Sequence, residues 1–313
     1  MIYKACYDQI IKALVAYESD IRISERLSSE EMGELMNYLK AIDPSLFHVT
    51  GLSLCASMFG TLTICPDYAY TKEEYAQIKK SISDRIRPLK QYLRTLDGDL
   101  KKEKYIHDYI CTNIKYVDNG AISHTLVGPF LHGEGVCDGI SQATQLLLKS
   151  CGIKSYLVTG TAYDGKSNGP HGWNLVNIDG KWYHLDVTFD RGISQGFIRY
   201  DYFNLNHRRI SLDHNLEYSP IDSKKECVTE NDFFDMRKIS FSDMAILKKY
   251  FLHVLSKRKE HIQIRLDGKY SQELYNKVNA LFSEAVNETR ISVSMGTTTN
   301  PTQNVIGIVI KYQ

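Results

Sequence analysis

The 313 residues, 43% apolar and 24% charged, give ample length for a buried core and exclude disordered, collagenous and coiled-coil classes. At roughly 150 residues per domain, the length suggests two domains or three small ones. With 38 Lys and Arg against 37 Asp and Glu, the net charge of +1 gives no global field to draw the chain to nucleic acid or an anionic membrane.

The first twenty residues read as an amphipathic helix rather than a signal-peptide core, and no run reaches the roughly 18 apolar residues of a membrane span. A cytoplasmic location is the default expectation, and a surface or secreted one applies if a leader has been trimmed. Asp20 to Ser24 alternates like a short strand. Residues 29 to 42 carry Met32, Leu35, Met36, Leu39 and Ile42 at helical spacing behind a Ser28–Glu31 capping box. Two strand-like runs follow, over 46–54 and 61–70. A Thr71–Glu74 capping box opens a helix to about Leu96, and a second helix is expected from about Lys101 to Ile114. The last hundred residues repeat the opening order of helix, strand, helix, strand, strand. The two flanks therefore look like one supersecondary unit used twice, and are expected to pack together as a framing α/β domain. The division expected is 1–97, a catalytic core over 98–220, and 221–313.

Seven scattered cysteines (6, 55, 65, 111, 137, 151 and 227) include no close pair suited to zinc or dithiol chemistry, so mostly reduced thiols are expected. Cys137 differs from the rest. Two glycines precede it, and Ile140, Ala143, Leu147 and Cys151 follow at helical spacing until Gly152, which puts Cys137 at a helix N-terminus. That position favours the thiolate and offers free backbone N–H groups to an oxyanion.

Downstream, HGWNLVNIDGKWYHLDVTFD reads as two strands joined by Asp179-Gly180, a strong hairpin signal. With those two residues as the loop, Trp173 faces Asp186 and His171 faces Thr188. His171 and Asp186 then share a sheet face as diagonal neighbours, and His184 is expected on the other face. A His oriented by a carboxylate supplies the base half of a nucleophilic triad, with Cys137 as the nucleophile. Trp173 is expected to shield the pair from water. Tyr116, then His124, are candidate oxyanion donors. The Tyr163–Pro170 loop is a candidate cleft wall. A zinc set of His124, His132, Cys137 and His171 lacks the close ligand pairs of such sites. No calcium-loop or phosphate-loop spacing occurs, so neither metal nor cofactor is expected.

Gly135-Val136-Cys137-Asp138-Gly139, His171-Gly172-Trp173-Asn174 and Asp179 through Asp186 to Thr188-Phe189-Asp190 together resemble the transglutaminase-like superfamily, including its bacterial members. The likeness extends from about residue 104 to His214. It implies an α+β fold with a papain-like core, in which the Cys-bearing helix packs on an antiparallel sheet. It also implies a Cys-His-Asp triad, carried here by Cys137, His171 and Asp186. Ile140 and Ser141 stand where the family often has an aromatic and Ala, and Gly172 stands where it often has Ala. The expected activity is cysteine-dependent acyl transfer on a protein or peptide amide. Hydrolysis is favoured slightly over a transglutaminase reaction with an amine acceptor, and a catalytically silent binding module is the remaining alternative.

Overall fold

The computed structural model describes residues 7–22, 27–56, 62–194, 196–228 and 230–313. In the N-terminal flank, α1 (Tyr7–Ala16), β1 (Ile21–Arg22), α2 (Ser29–Ile42), β2 (Val49–Ala56) and β3 (Leu62–Tyr68) follow the expected order. Cys6 and the ends of the first helix and first strand lie outside the described residues. The Ser28–Glu31 capping box forms in both directions. The three strands make an antiparallel sheet of order β1-β3-β2, closed over a cluster that includes Ile10, Leu14, Leu35 and Ile64.

The middle segment begins with α3 (Lys72–Leu93), capped by the Thr71–Glu74 box, and α4 (Asp99–Asn113). After the short strands β4 (Lys115–Tyr116) and β5 (Glu134–Gly135), Val136 caps α5 (Cys137–Ser150), which ends before Gly152 at φ 87°. Next come β6 (Ser155–Tyr163), β7 (Asn168–Ile178), β8 (Lys181–Leu185), α6 (Val187–Ile193), α7 (His207–Ile210) and β9 (His214–Tyr218). The strands form an antiparallel sheet of order β8-β7-β6-β9. Asp179 and Gly180 both take positive φ, and the β7–β8 pairs run from Asn174↔Leu185 to Ile178↔Lys181, the register that a two-residue turn imposes. Helices α3, α4 and α5 bury Ile82, Ile86, Ile110, Ala143 and Leu147 in one cluster with Val176, Ile178 and Leu185 of the sheet. The chain thus has an α+β architecture, with the Cys137 helix laid on an antiparallel sheet.

In the C-terminal flank, α8 (Ser223–Glu226), α9 (Phe233–Met236) and β10 (Ser240–Phe241) lead into α10 (Met244–Ser256), β11 (His261–Leu266), α11 (Gln272–Thr289), β12 (Val293–Asn300) and β13 (Val305–Tyr312). Here β11-β13-β12 repeats the first–third–second antiparallel order of β1-β3-β2. The two flanks therefore share a topology, yet their strands lie in different sheets and their apolar clusters share no residue. Each is tied to the middle segment. Gln145 and Lys149 of α5 donate to the carbonyls of Ala41 and Ile42 at 2.7 Å. On the other side, Gln263 brackets the backbone of Ile198 and Tyr200, and Arg199 donates to Thr298 at 2.6 Å.

Cysteine usage departs from the expectation at one pair. Cys55 and Cys65, on the adjacent strands β2 and β3, form a disulfide, whereas Cys111, Cys137 and Cys151 are free thiols. Cross-strand pairing brings the two together, a proximity invisible in their linear spacing.

Candidate active site

Cys137 is the first residue of α5, whose N-terminus carries no side-chain cap. The first-turn N–H groups and the positive end of the helix dipole are therefore available to an anion. The glycine two residues on is required by packing. A Cβ at Gly139 would sit 2.3 Å from the Ser123 carbonyl oxygen and 2.8 Å from that of Thr125, both backbone atoms unable to move alone. Gly172 meets a milder demand, since a Cβ there would lie 3.1 Å from Asp138 Oδ1. That carboxylate sits 4.0 Å from Cys137 Sγ, and its other oxygen is 3.2 Å from His124 Nδ1. Gly172 in place of the family's frequent Ala thus leaves room for Asp138 beside the thiol. Ser141, in place of an alanine, donates from Oγ to the Gly172 carbonyl at 2.8 Å, and Asn174 donates to the Ser141 carbonyl at 3.1 Å. Helix α5 and strand β7 are locked together just behind Cys137 and His171.

His171 and Asp186 meet directly, with His171 Nε2 2.7 Å from Asp186 Oδ2. Asp186 caps α6, accepting the Phe189 N–H on Oδ1 at 3.0 Å. Burial alone would depress the His171 pKa, but the Asp186 carboxylate and then the nearby Cys137 sulfur outweigh it and raise the pKa to about 10. Burial would likewise raise Asp186, yet His171 and His214 hold its carboxyl far below the usual carboxylate range. With Nε2 committed to Asp186, Nδ1 is the nitrogen left for the thiol.

His214, at the start of β9, is a site residue that sequence reasoning missed. Its Nε2 lies 3.0 Å from the same Asp186 Oδ2, and its Nδ1 lies 2.6 Å from Asp213 Oδ1. Burial opposes its protonation, but the two carboxylates prevail and raise its pKa. Asp213 in turn accepts the Tyr202 hydroxyl at 2.7 Å and faces Gln303 Nε2 at 3.3 Å, while Asn300 donates to Tyr202 Oη at 3.2 Å. A buried chain of alternating imidazoles and carboxylates thus runs from His171 to the turn between β12 and β13. Behind α6, Asp190 pairs with buried His107 at 3.1 Å and accepts the Tyr202 N–H at 3.0 Å, clamping the helix from its other end. Sequence offered one signal for His214: it ends the stretch over which the family likeness runs.

The supporting candidates occupy different places. Trp173 is wholly buried, its ring stacked beside His171 at 5.9 Å between centroids and edge-on to His214 at 5.0 Å. Its Nε1 donates to His184 Nδ1 at 2.9 Å. His184 therefore lies on the same face as Trp173, not the opposite one: residues 184 and 186 are two apart on a strand, so both point the same way. Burial, then the charges of His207 and His214, push His184 well below the ordinary histidine value, which keeps it a neutral acceptor. Tyr116 is half exposed on β4, and burial, then the charges at Cys137, Asp138 and Asp186, raise its pKa, so its hydroxyl keeps its proton. His124 is turned to Asp138 and Asp118. Among the described residues, the three-ligand grouping is His171, Asp186 and His214, a proximity their shared carboxylate oxygen explains. His124, His132, Cys137 and His171 do not come together as one cluster.

No curated protein matches this chain. Among solved structures, it resembles a candidate cysteine protease from Cytophaga hutchinsonii at 16% identity and a TM-score of 0.31, over 44% of this chain and 61% of that one. A crystal structure of a TGase matches at 18% identity and a TM-score of 0.31, over 54% of this chain and 50% of the other. A candidate protease from Parabacteroides distasonis matches at 15% and 0.27, over 42% and 30%. The chain thus spans about three-fifths of the first and half or less of the other two. The sequence model of the transglutaminase-like superfamily matches residues 87–187, from the last turns of α3 through Cys137, His171 and Asp186 to the start of α6. Over that segment the chain is similar to the transglutaminase-like superfamily.

Proposed function

We propose that the protein is a cysteine-dependent acyl-transfer enzyme acting on peptide or side-chain amides, with 98–220 as its catalytic unit and Cys137, His171 and Asp186 as its triad. The observation that carries this reading is His171, held 2.7 Å from Asp186, whose carboxylate keeps the ring charged, beside the uncapped start of α5 that bears Cys137. A positive ring there stabilises negative charge on the sulfur, which attacks the amide carbonyl. The tetrahedral oxyanion is received by the first-turn N–H groups of α5, with the protonated Tyr116 hydroxyl as a side-chain candidate. His171 gives its proton to the departing amine, leaving a thioester on Cys137. It then takes a proton from water as that water adds to the thioester, and returns it to the sulfur as the acid leaves. Asp186 fixes the ring and balances its charge through both steps. Hydrolysis is favoured because water is the ever-present acceptor, whereas aminolysis needs a site that excludes it.

The test is intact-protein mass spectrometry of casein incubated with wild type or Cys137→Ala, with and without a primary amine probe. Cleavage or deamidation by wild type alone is the expected result. Amine incorporation by wild type alone assigns a transglutaminase. Identical behaviour of the two proteins, together with an ordinary alkylation rate at Cys137, refutes the nucleophile.

A further inference from the structure

On the far side of His171 the cleft widens into a cavity of about 550 Å³, within the roughly 300–1,000 Å³ range of ligand sites. Three segments distant in sequence build it: the β6–β7 hairpin tip from Tyr163 to Pro170, the face of α6 bearing Phe189 and Ile193, and the β12–β13 turn from Thr299 to Thr302. Tyr116 and His171 also line it, so the cavity borders the ring proposed as the base.

Most of the wall is uncharged, and four aromatic rings, those of Tyr116, Tyr163, Phe189 and Tyr202, line it. Its charged side chains are His171, already paired with Asp186, and Asp164, whose Oδ1 accepts the N–H groups of Lys166 and Ser167 at 2.8 Å each. No lysine or arginine lines it. An anionic substrate group placed there would be stripped of water without a free counter-charge, whereas an aromatic or branched apolar group loses nothing and gains contact. The outer wall is also preorganised. Asn300 accepts the Gln303 N–H at 3.2 Å and donates to Tyr202, while Gln303 donates to the Arg209 carbonyl at 3.2 Å and faces Asp213. A wall held this firmly selects by shape.

We propose that this cavity is the side-chain subsite of the substrate, taking an aromatic or large aliphatic residue next to the reacting amide. The β12–β13 turn of the C-terminal flank is its specificity-determining wall. The proposal rests on Cys137 as the nucleophile. Through that wall the flank shapes what the catalytic segment accepts.

The experiment compares alkylation of Cys137 in the full chain by 2-chloroacetamide, N-benzyl-2-chloroacetamide and N-carboxymethyl-2-chloroacetamide. Each rate is divided by that with free N-acetylcysteine, and sites are assigned by peptide mass spectrometry. The benzyl probe is expected to be favoured about tenfold at Cys137 and not at Cys111 or Cys227, with the carboxymethyl probe disfavoured. Two substitutions fill the cavity: Thr299→Trp on its exposed rim, and Gly192→Trp, where an added Cβ meets no atom within 4 Å. Both should bring the benzyl preference close to one. A fast Cys137 reaction without benzyl preference, or with a carboxymethyl preference, overturns the subsite and leaves the nucleophile standing. A preference that survives both tryptophans overturns the assignment to the flank. A benzyl preference on a thiol of ordinary absolute rate overturns the nucleophile alone.

Discussion

Replacing Asp186 with Asn removes one charge and little else. Asn is as good a helix cap as Asp, so its side-chain oxygen still accepts the Phe189 N–H that Asp186 Oδ1 accepts at 3.0 Å. The other side-chain atom becomes an NH2 group facing the Nε2 atoms of His171 and His214, which lie 2.7 and 3.0 Å from the carboxylate oxygen. Both imidazoles then have to present a lone pair there, which puts the remaining His171 proton on Nδ1, toward Cys137, where a proton acceptor is needed. Loss of the carboxylate also leaves burial as the strongest influence on His171. Its pKa then falls from about 10, because the carboxylate that outweighed burial is gone. The imidazolium beside the sulfur is thereby lost at neutral pH. An unassisted thiol with a pKa near 8.5 is only about 0.3% ionised at pH 6. Allowing for the greater intrinsic nucleophilicity of a more basic thiolate, Cys137 alkylation by iodoacetamide at pH 6 should slow by about tenfold or more. Intact-mass kinetics at pH 6 and pH 9, with thermal melts to verify folding, measure this. A folded Asp186→Asn protein whose Cys137 rate at pH 6 stays within about twofold of wild type would refute the reasoning.

The same pair gives a signed pH dependence of stability. Because the His171 pKa is raised, its contribution is complete below about 6.5 and lost as pH climbs through about 10; because Asp186 is lowered, its contribution is complete above about 4 and lost in strong acid. The melting-temperature gap between wild type and Asp186→Asn should therefore be widest between about pH 4 and 6.5 and close toward pH 10. His214→Ala leaves Asp213 buried without its imidazole and should cost about 3–5 kcal/mol in chemical denaturation; a cost under 1 kcal/mol would show that the imidazole chain is incidental. Gly139→Ala forces a Cβ into the Ser123 and Thr125 carbonyls and should destabilise by about 1–3 kcal/mol while slowing Cys137 alkylation, whereas Gly192→Ala should be neutral or slightly stabilising. Mass mapping after iodoacetamide under native conditions should leave Cys55 and Cys65 unlabelled until a reductant is added.

Local signals carried much of the molecule. The two capping boxes, the helix running from Cys137 to the glycine stop, and the Asp179-Gly180 turn are each written within a few residues, and that turn alone sets the register that brings His171 to Asp186. The duplicated flank topology was legible for the same reason, since element order follows from short-range periodicity. What escaped depends on contacts across the chain. His214 reaches Asp186 because β9 pairs with β6, a strand with which it shares no turn. Cys55 meets Cys65 only through the β2–β3 register. His184 was misassigned for a simpler reason, since strand alternation itself puts it on the face of Asp186.

The imidazole–carboxylate chain bears on how far the catalytic segment can be separated from its surroundings. One end of the chain is the His171 ring; the other is held by Asn300 and Gln303, more than 110 residues past the C-terminal edge of the matched family segment. A fragment trimmed to residues 98–220 would keep Cys137, His171 and Asp186 and still lack two of the amides that brace Tyr202 and Asp213, together with one wall of the cavity. Excision would leave the sequence around the proposed nucleophile intact while loosening the scaffold that holds His171. The smallest faithful unit for kinetics or inhibitor work is therefore the entire chain, and weak activity from the isolated segment would report the missing brace rather than the chemistry of Cys137.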